Sequence, residues 1–268
     1  MIKDITLGQY FPGDTFVHRL DPRTKLVLVL IYIVALFLAK WVFSYALVLV
    51  FLILAVVLSK ARLPVMLRGV KPLLLIILLT GLLNIFFARG ETLLFEWRFI
   101  HVYAEGLQTA GFMVLRILML VCGTFLLTYT TSPIDLTDGM ERLMSPLKKI
   151  RFPAHELAMM TSIALRFIPT LIEETNKIIS AQKARGADFE SGNLFRRAKA
   201  LIPILVPLFI SAFRRADELA TAMECRCYHG GEGRTRMKQL RMGGGDAAAF
   251  VASFALLGGV IALRVFGL

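Results

Sequence analysis

Between residues 26 and 59 the only charged side chain is Lys40, and everything else in that run is apolar or neutral. A transmembrane helix needs about 20 mostly apolar residues, with about 17 at the low end, so the run holds two spans. Lys40-Trp41 is a basic and aromatic pair suited to a membrane–water interface, which places the turn there. A third apolar run covers 72–88 and contains Asn84, and a fourth covers 106–130 and contains Arg116. A fifth, over 247–263, follows the flexible Gly243-Gly244-Gly245. The pattern predicts an all-α integral membrane protein with about five transmembrane helices. Four belong to a membrane domain over 1–130, and the last lies in 246–268.

Residues 131–245 have another character. They carry 18 basic and 12 acidic side chains, which places the segment in water or at a membrane surface. Ser132-Pro133 opens a short helix that ends near Ser145-Pro146, because proline suits a first turn and the residue before proline leaves the helical region. Phe152-Pro153 opens a long helix reaching about Lys183. A turn at 188–193 separates it from a second long helix over about 194–224, and the glycines at 230, 231 and 233 end the pattern. Pro169 interrupts the first long helix, and Pro203 and Pro207 the second; each removes a backbone hydrogen bond and bends its helix. The uncharged run 200–213, which includes Phe209, is too short for a comfortable span. It reads as the apolar part of a helix at the interface or packed against another membrane protein, with packing on the chain's own spans as an equal alternative.

Composition supports the membrane class. The 268 residues are 57% hydrophobic, above the roughly 45–50% of soluble domains. The net charge of +12 does not point to nucleic acid, since basic residues of a membrane protein mark its cytoplasmic face. Segments 1–25 and 60–71 hold four lysines and arginines each, against Lys40, Arg89 and Arg98 in the opposite loops. The N-terminus is therefore expected inside and, with five spans, the C-terminus outside. The basic stretch 234–242 reads as ordinary anchoring of this kind.

An internal repeat is the most specific feature. Ser180-Ala181-Gln182-Lys183-Ala184-Arg185-Gly186 aligns with Thr221-Ala222-Met223-Glu224-Cys225-Arg226-Cys227, each at the end of a predicted long helix. Small neighbours let a partner's surface approach the backbone, and the arginine can then form several directed hydrogen bonds in a groove. An arginine near a helix C-terminus can equally bond the last carbonyls of its own helix. Two matching copies favour two equivalent docking sites, and hence two similar partners.

The stretches 165–189 and 211–236 resemble the T component of energy-coupling factor transporters, the EcfT family. TSPIDLTDGMERLMSPLKK (131–149) and LDPRTKL (20–26) resemble it too, so the likeness covers nearly the whole chain. The resemblance implies that Ala184-Arg185-Gly186 and Cys225-Arg226-Cys227 each dock on one of two ABC-type ATPase subunits (EcfA and EcfA'). It also implies that a small membrane S component binds the cargo, a vitamin or micronutrient, in a prokaryotic cell membrane. Contact with the S component is expected around Pro169, Pro203, Pro207 and Phe209. Cysteine is still small, so the second triplet keeps the docking character.

No GxxxxGK[ST] loop is present, so ATP and Mg would be used by the partners, and no cofactor is expected on this chain. His18, His101, His155 and His229 are too scattered for a metal site, and Cys225-x-Cys227 lacks a second ligand pair. Arg116 is costly inside a span unless paired. One reading gives it a role with Asn84 or the S component; the bland reading is an arginine bonded to helix carbonyls. Glu173, Glu174, Asp217 and Glu218 sit among basic residues in a solvated-face pattern. A lipid-modifying membrane enzyme, the alternative class, would need a convergent nucleophile, base or metal set, and none stands out.

Overall fold

The computed structural model describes residues 10–61, 63–87, 92–97, 100–189, 193–231, 235 and 239–267. Arg89, Arg98, the middle of the 188–193 turn, and Arg234 and residues 236–238 of the basic stretch 234–242 lie outside the described residues. The described chain is helical apart from one short hairpin. Its order is α1 (Phe16–Arg19), α2 (Pro22–Leu38), α3 (Val42–Ser59), α4 (Leu63–Val70), α5 (Leu74–Phe87), β1 (Leu93–Trp97), β2 (Ile100–Tyr103), α6 (Ala104–Thr130), α7 (Pro133–Met144), α8 (Ala154–Ala184), α9 (Leu194–Cys225) and α10 (Gly244–Phe266). It forms two compact units. One comprises the described residues of 7–140 and 240–268, and the other those of 141–239, the division falling within α7.

Among the described residues, four helical stretches are long and apolar enough to cross a membrane: Val42–Ser59, Pro64–Phe86, Ala104–Thr130 and Gly244–Phe266. At 17 residues α2 sits at the low end of spanning length, with Arg23 and Lys25 confined to its first turn. The turn between α2 and α3 falls at Lys40-Trp41, where the sequence placed it. The third span begins earlier than the predicted residue 72. The charges at Arg68 and Lys71 argue for a loop, but Met66 and Val70 are buried, so 63–70 folds as an amphipathic helix. A 3-10 turn at Lys71–Leu73, with Pro72 near its start, carries it into α5. The hairpin β1–β2, antiparallel with Trp97 opposite Ile100, was not predicted; it joins α5 to α6.

In the first unit the core forms where α2, α3, α6 and α10 meet, around Tyr32, Ala35, Leu36, Val48, Met119, Leu256 and Val260. The outward faces of the unit stay apolar and exposed: Leu75 at 75%, Val57 at 68% and Val251 at 70% present a surface suited to lipid. Helices in a bilayer gain little from hydrophobic exclusion, so close approach at small residues matters more. Gly123 of α6 lies flush against the Tyr32 ring, Gly259 of α10 against Leu47, and Gly69 of α4 against Phe125. The Tyr32 hydroxyl then donates to the Met119 carbonyl at 2.9 Å, which satisfies a polar group where water is absent.

Polar contacts tie together the start of α2, the end of α6 and the start of α10. Asp21 caps α2 by accepting from the Arg23 amide at 2.9 Å, while its own amide donates to Asp246 Oδ1 at 2.9 Å. Asp246 Oδ2 accepts from the Gly243 amide at 2.7 Å. Lys25 Nζ donates to the Thr130 carbonyl at 2.9 Å and to the His18 carbonyl at 3.1 Å. The glycine run 243–245 is therefore a built helix start, not a flexible link: Gly243 is the N-cap, and a Cβ on Gly245 would crowd Phe16. Because α2 and α10 both begin where α6 ends, these three helices cross the unit between the same two faces.

In an exposed helix Gly→Ala stabilises by about 1 kcal/mol. At Gly123 the sign should reverse, because the new methyl meets the Tyr32 ring; Gly123→Ala should lower stability by roughly 1–3 kcal/mol. Thermal unfolding of the purified chain in detergent, with Gly111→Ala as the control where a Cβ meets open space, checks it.

Candidate functional site: two arginine-capped helix ends

The long helices α8 and α9 make up most of the second unit, and three contacts set their relative direction. Gly231, just past α9, lies flush against the His155 ring at the start of α8. Arg215 Nη2 of α9 donates to Glu174 Oε2 of α8 at 2.9 Å. Gln182 Nε2, near the end of α8, reaches the Pro203 carbonyl at 3.4 Å. As the residue number rises along α8 it falls along α9, so the pair is antiparallel. The repeat motifs therefore end at opposite ends of the pair, on the order of 35 Å apart at about 1.5 Å per residue.

Both ends are built alike. Arg185 is the C-cap of α8, Gly186 follows with φ 84°, and the amides of Gly186 and Ala187 bond the carbonyls of Lys183 and Gln182 at 3.0 Å each. At the second end Cys227 has φ 53°, and the amides of Cys227 and Tyr228 bond the carbonyls of Glu224 and Met223 at 2.8 and 3.0 Å. This is the same Schellman closure twice, with the arginine as the cap residue and the third triplet residue in the left-handed conformation. The helix's last carbonyls are thus met by backbone amides and do not need the arginine side chain. Ala184, Arg185, Gly186, Cys225, Arg226 and Cys227 are all exposed. Neither guanidinium has a hydrogen-bond or ion-pair partner among the described residues.

The geometry revises why the third residue is small. Close approach is one reason; the positive φ is another, and glycine meets it without strain. Cysteine carries a Cβ into that region, which costs roughly 1–2 kcal/mol.

The prolines are exposed on their helices, Pro169 on α8 and Pro203 and Pro207 on α9. Pro207 has no N–H to give to the carbonyl four residues back, which is that of Pro203. Gln182, a member of the first motif, supplies a donor to that same oxygen. The Pro-x-x-x-Pro spacing at 203 and 207 is the sequence signal for such a donor, although it does not say that Gln182 supplies it. Around the prolines α9 is apolar and open: Ile202, Leu205, Val206 and Ile210 are more than half exposed, with Phe209 at 65% and Phe213 at 62%.

The sequence pattern puts Glu174 on a solvated face, and the structure instead pairs it with Arg215. A hydrogen bond from the Ser211 hydroxyl, with Arg215 and the Lys177 charge behind it, holds its carboxyl below the usual glutamate range. The carboxylate interaction is complete above the ordinary glutamate value of about 4.3 and is lost as the pH falls through the lowered one. His155 Nδ1 meets Glu141 Oε1 at 3.0 Å, joining α7 to the start of α8.

Arg116 and Asn84, on α6 and α5, do not bond each other. Asn84 Nδ2 donates to the Thr80 carbonyl of its own helix at 2.9 Å. Arg116 Nη2 donates to the Ala39 carbonyl at 3.1 Å and to the Tyr45 hydroxyl, and its guanidinium lies over the Phe37 and Tyr45 rings. Ala39 is the C-cap of α2, so Arg116 closes a helix end at the level of the α2–α3 turn.

The family described as cobalt transport protein, CbiQ, matches residues 13–237. Three similar curated proteins share the name energy-coupling factor transporter transmembrane protein EcfT. The one from Clostridium kluyveri is 57% identical over 258 residues, covering 96% of this chain and 94% of that protein. The one from Thermosediminibacter oceani is 55% identical over 263 residues, covering 98% and 99%. The one from Bacillus subtilis is 48% identical over 264 residues, covering 98% and 100%.

Cys227→Gly should stabilise the end of α9 by about 1 kcal/mol, and Gly186→Ala should destabilise the end of α8 by a similar amount. Paired thermal melts of the purified variants check both signs.

Proposed function

The chain belongs to the EcfT family of energy-coupling factor transporter transmembrane proteins, within the wider CbiQ cobalt transport family, and we propose that it couples two ATPase subunits to a substrate-binding subunit. On this reading the exposed ends at Arg185 and Arg226 dock on two ABC-type ATPase subunits, EcfA and EcfA'. Their hydrolysis of ATP with Mg supplies the motion, and this chain is not itself an enzyme. The observation that carries the proposal is the pair of matched helix closures. Each satisfies its own carbonyls with backbone amides and leaves an arginine without a partner among the described residues. A guanidinium so presented suits a groove lined with carboxylate or carbonyl oxygens.

Substrate selectivity then belongs to a small membrane S component, which takes up a vitamin or micronutrient. The exposed apolar surface around Pro203, Pro207 and Phe209, with Pro169 on the neighbouring helix, is the candidate contact for it. The unlike triplets, one ending in glycine and one in cysteine, suit two unlike ATPases. We place the N-terminus and residues 131–245 in the cytoplasm and the chain in a prokaryotic cell membrane, on the basic residues of segments 1–25 and 60–71.

Affinity purification of the tagged chain from its native membranes should recover two ABC-type ATPases and a small membrane protein. Arg185→Ala with Arg226→Ala should reduce ATPase recovery at least about tenfold, equivalent to roughly 1.4 kcal/mol of lost docking, while the chain stays folded. A double variant that keeps both ATPases would overturn the proposal.

A further inference from the structure

The alignment of the two arginine motifs extends back along both helices at the same offset, and the charges along it are inverted. Glu173 and Glu174 align with Arg214 and Arg215, Lys177 with Glu218, and Lys183 with Glu224. Among the positions charged in both copies over 165–189 and 206–230, only Arg185 and Arg226 keep the same sign. The ion pair between α8 and α9 joins Glu174 to Arg215, which are the same position of the two copies. Two antiparallel copies that touch at an equivalent position are related by a local two-fold axis through that contact. Identical residues there would set a carboxylate against a carboxylate. The inversion replaces that repulsion with a pair at 2.9 Å.

We propose that Glu174 and Arg215 are positioning residues, whose ion pair is the pseudo-two-fold crossing point of α8 and α9 and sets the separation of the two arginine ends. Each arginine stands the same number of positions beyond the pair, so the arms are equal, about 16 Å each at about 1.5 Å per residue. Both arms are free of proline: along their own helices, Pro169, Pro203 and Pro207 all lie on the other side of the crossing. A partly exposed ion pair contributes little to overall stability, so its effect is on register. A slip that brought Glu174 to Glu218 would set like charges together, and their repulsion opposes it. The functional consequence, equal levers on two ATPases, rests on the docking role proposed above; the geometric claim does not.

The test is a distance measured on the full chain in lipid nanodiscs. Spin labels replace Ala181 and Ala222, equivalent exposed positions on the two arms, with Cys122, Cys225 and Cys227 changed to Ala, Ala and Gly. Pulsed dipolar spectroscopy should give one narrow distribution near ~25 Å, set by the helical rise between the labels and by helix axes roughly 8–10 Å apart. Glu174→Arg or Arg215→Glu alone should at least double its width or move its centre by about one helical turn, ~5 Å, with helicity unchanged by circular dichroism. The exchange Glu174→Arg with Arg215→Glu should restore the original distribution. Unchanged single variants would overturn the proposal, as would an exchange variant that fails to restore the distance. Where a single variant does not fold, the exchange variant decides alone by the same criterion. Loss of ATPases on Arg185 and Arg226 substitution tests the docking role separately, so either idea can fail without the other.

Discussion

A backbone carbonyl that has lost its amide donor is the recurrent problem in a chain made of helices in lipid, because no water is at hand to replace the missing bond. Each long helix leaves such carbonyls at its C-terminus, and each interior proline adds one. Two such ends in the first unit are met by long side chains from other helices. Lys25 closes the end of α6 at Thr130 and Arg116 closes the end of α2 at Ala39; outside the lipid, in the second unit, Gln182 meets the exposed Pro203 oxygen that Pro207 cannot serve. Arg23 does the same for Leu240 in the stretch before α10. The contacts that satisfy the backbone are thus also the contacts that fix which helix lies beside which.

The ends of α8 and α9, like that of α3, are closed by local amides instead, and the repeated arginine standing at each is what makes them candidates for docking. Their carbonyls are closed by local amides, so the arginine at each cap is not used up in the fold. An arginine at a helix C-terminus ordinarily has a structural explanation, namely its own helix's carbonyls and dipole. The Schellman geometry meets that need in advance. What remains is a planar donor fork at an exposed end, twice, in a family whose members are named energy-coupling factor transporter transmembrane proteins.

Much of this architecture can be read from the sequence because hydropathy and proline report directly on the backbone. The span boundaries at α2, α3, α6 and α10 and the two long helices follow from such signals. Four features did not. The start of the third span was hidden by Arg68 and Lys71, whose charge outweighs Met66 and Val70 in any count of residues but not in the fold. The hairpin at 93–103 interrupts two apolar runs without a proline or a strong turn signal. Glu174 looked solvated because its partner lies far along the chain, on another helix. Arg116 could have paired anywhere along its span, and only the packed structure places it against Ala39. For the docking triplets, sequence supplied the positions and the smallness of their neighbours. It did not supply the left-handed residue that explains why the third member is glycine in one copy.

That left-handed residue also separates the two ends physically. At Gly186 the turn costs nothing beyond the entropy of glycine, while at Cys227 a Cβ is held where L-residues rarely sit. The strain is local to the last turn, because the arm between Glu174 and Arg185 and the arm between Arg215 and Arg226 are both uninterrupted helix. The interior prolines, Pro169 of α8 and Pro203 and Pro207 of α9, all lie on the other side of the crossing, where each removes a helical hydrogen bond. On the docking role proposed above, a force applied at either arginine would reach the Glu174–Arg215 contact through unbroken helix, with the proline-interrupted stretches beyond it. On that role it is the placement of the prolines, more than their number, that matters: the arms that would be pushed keep every helical hydrogen bond, and the missing ones lie beyond the Glu174–Arg215 contact.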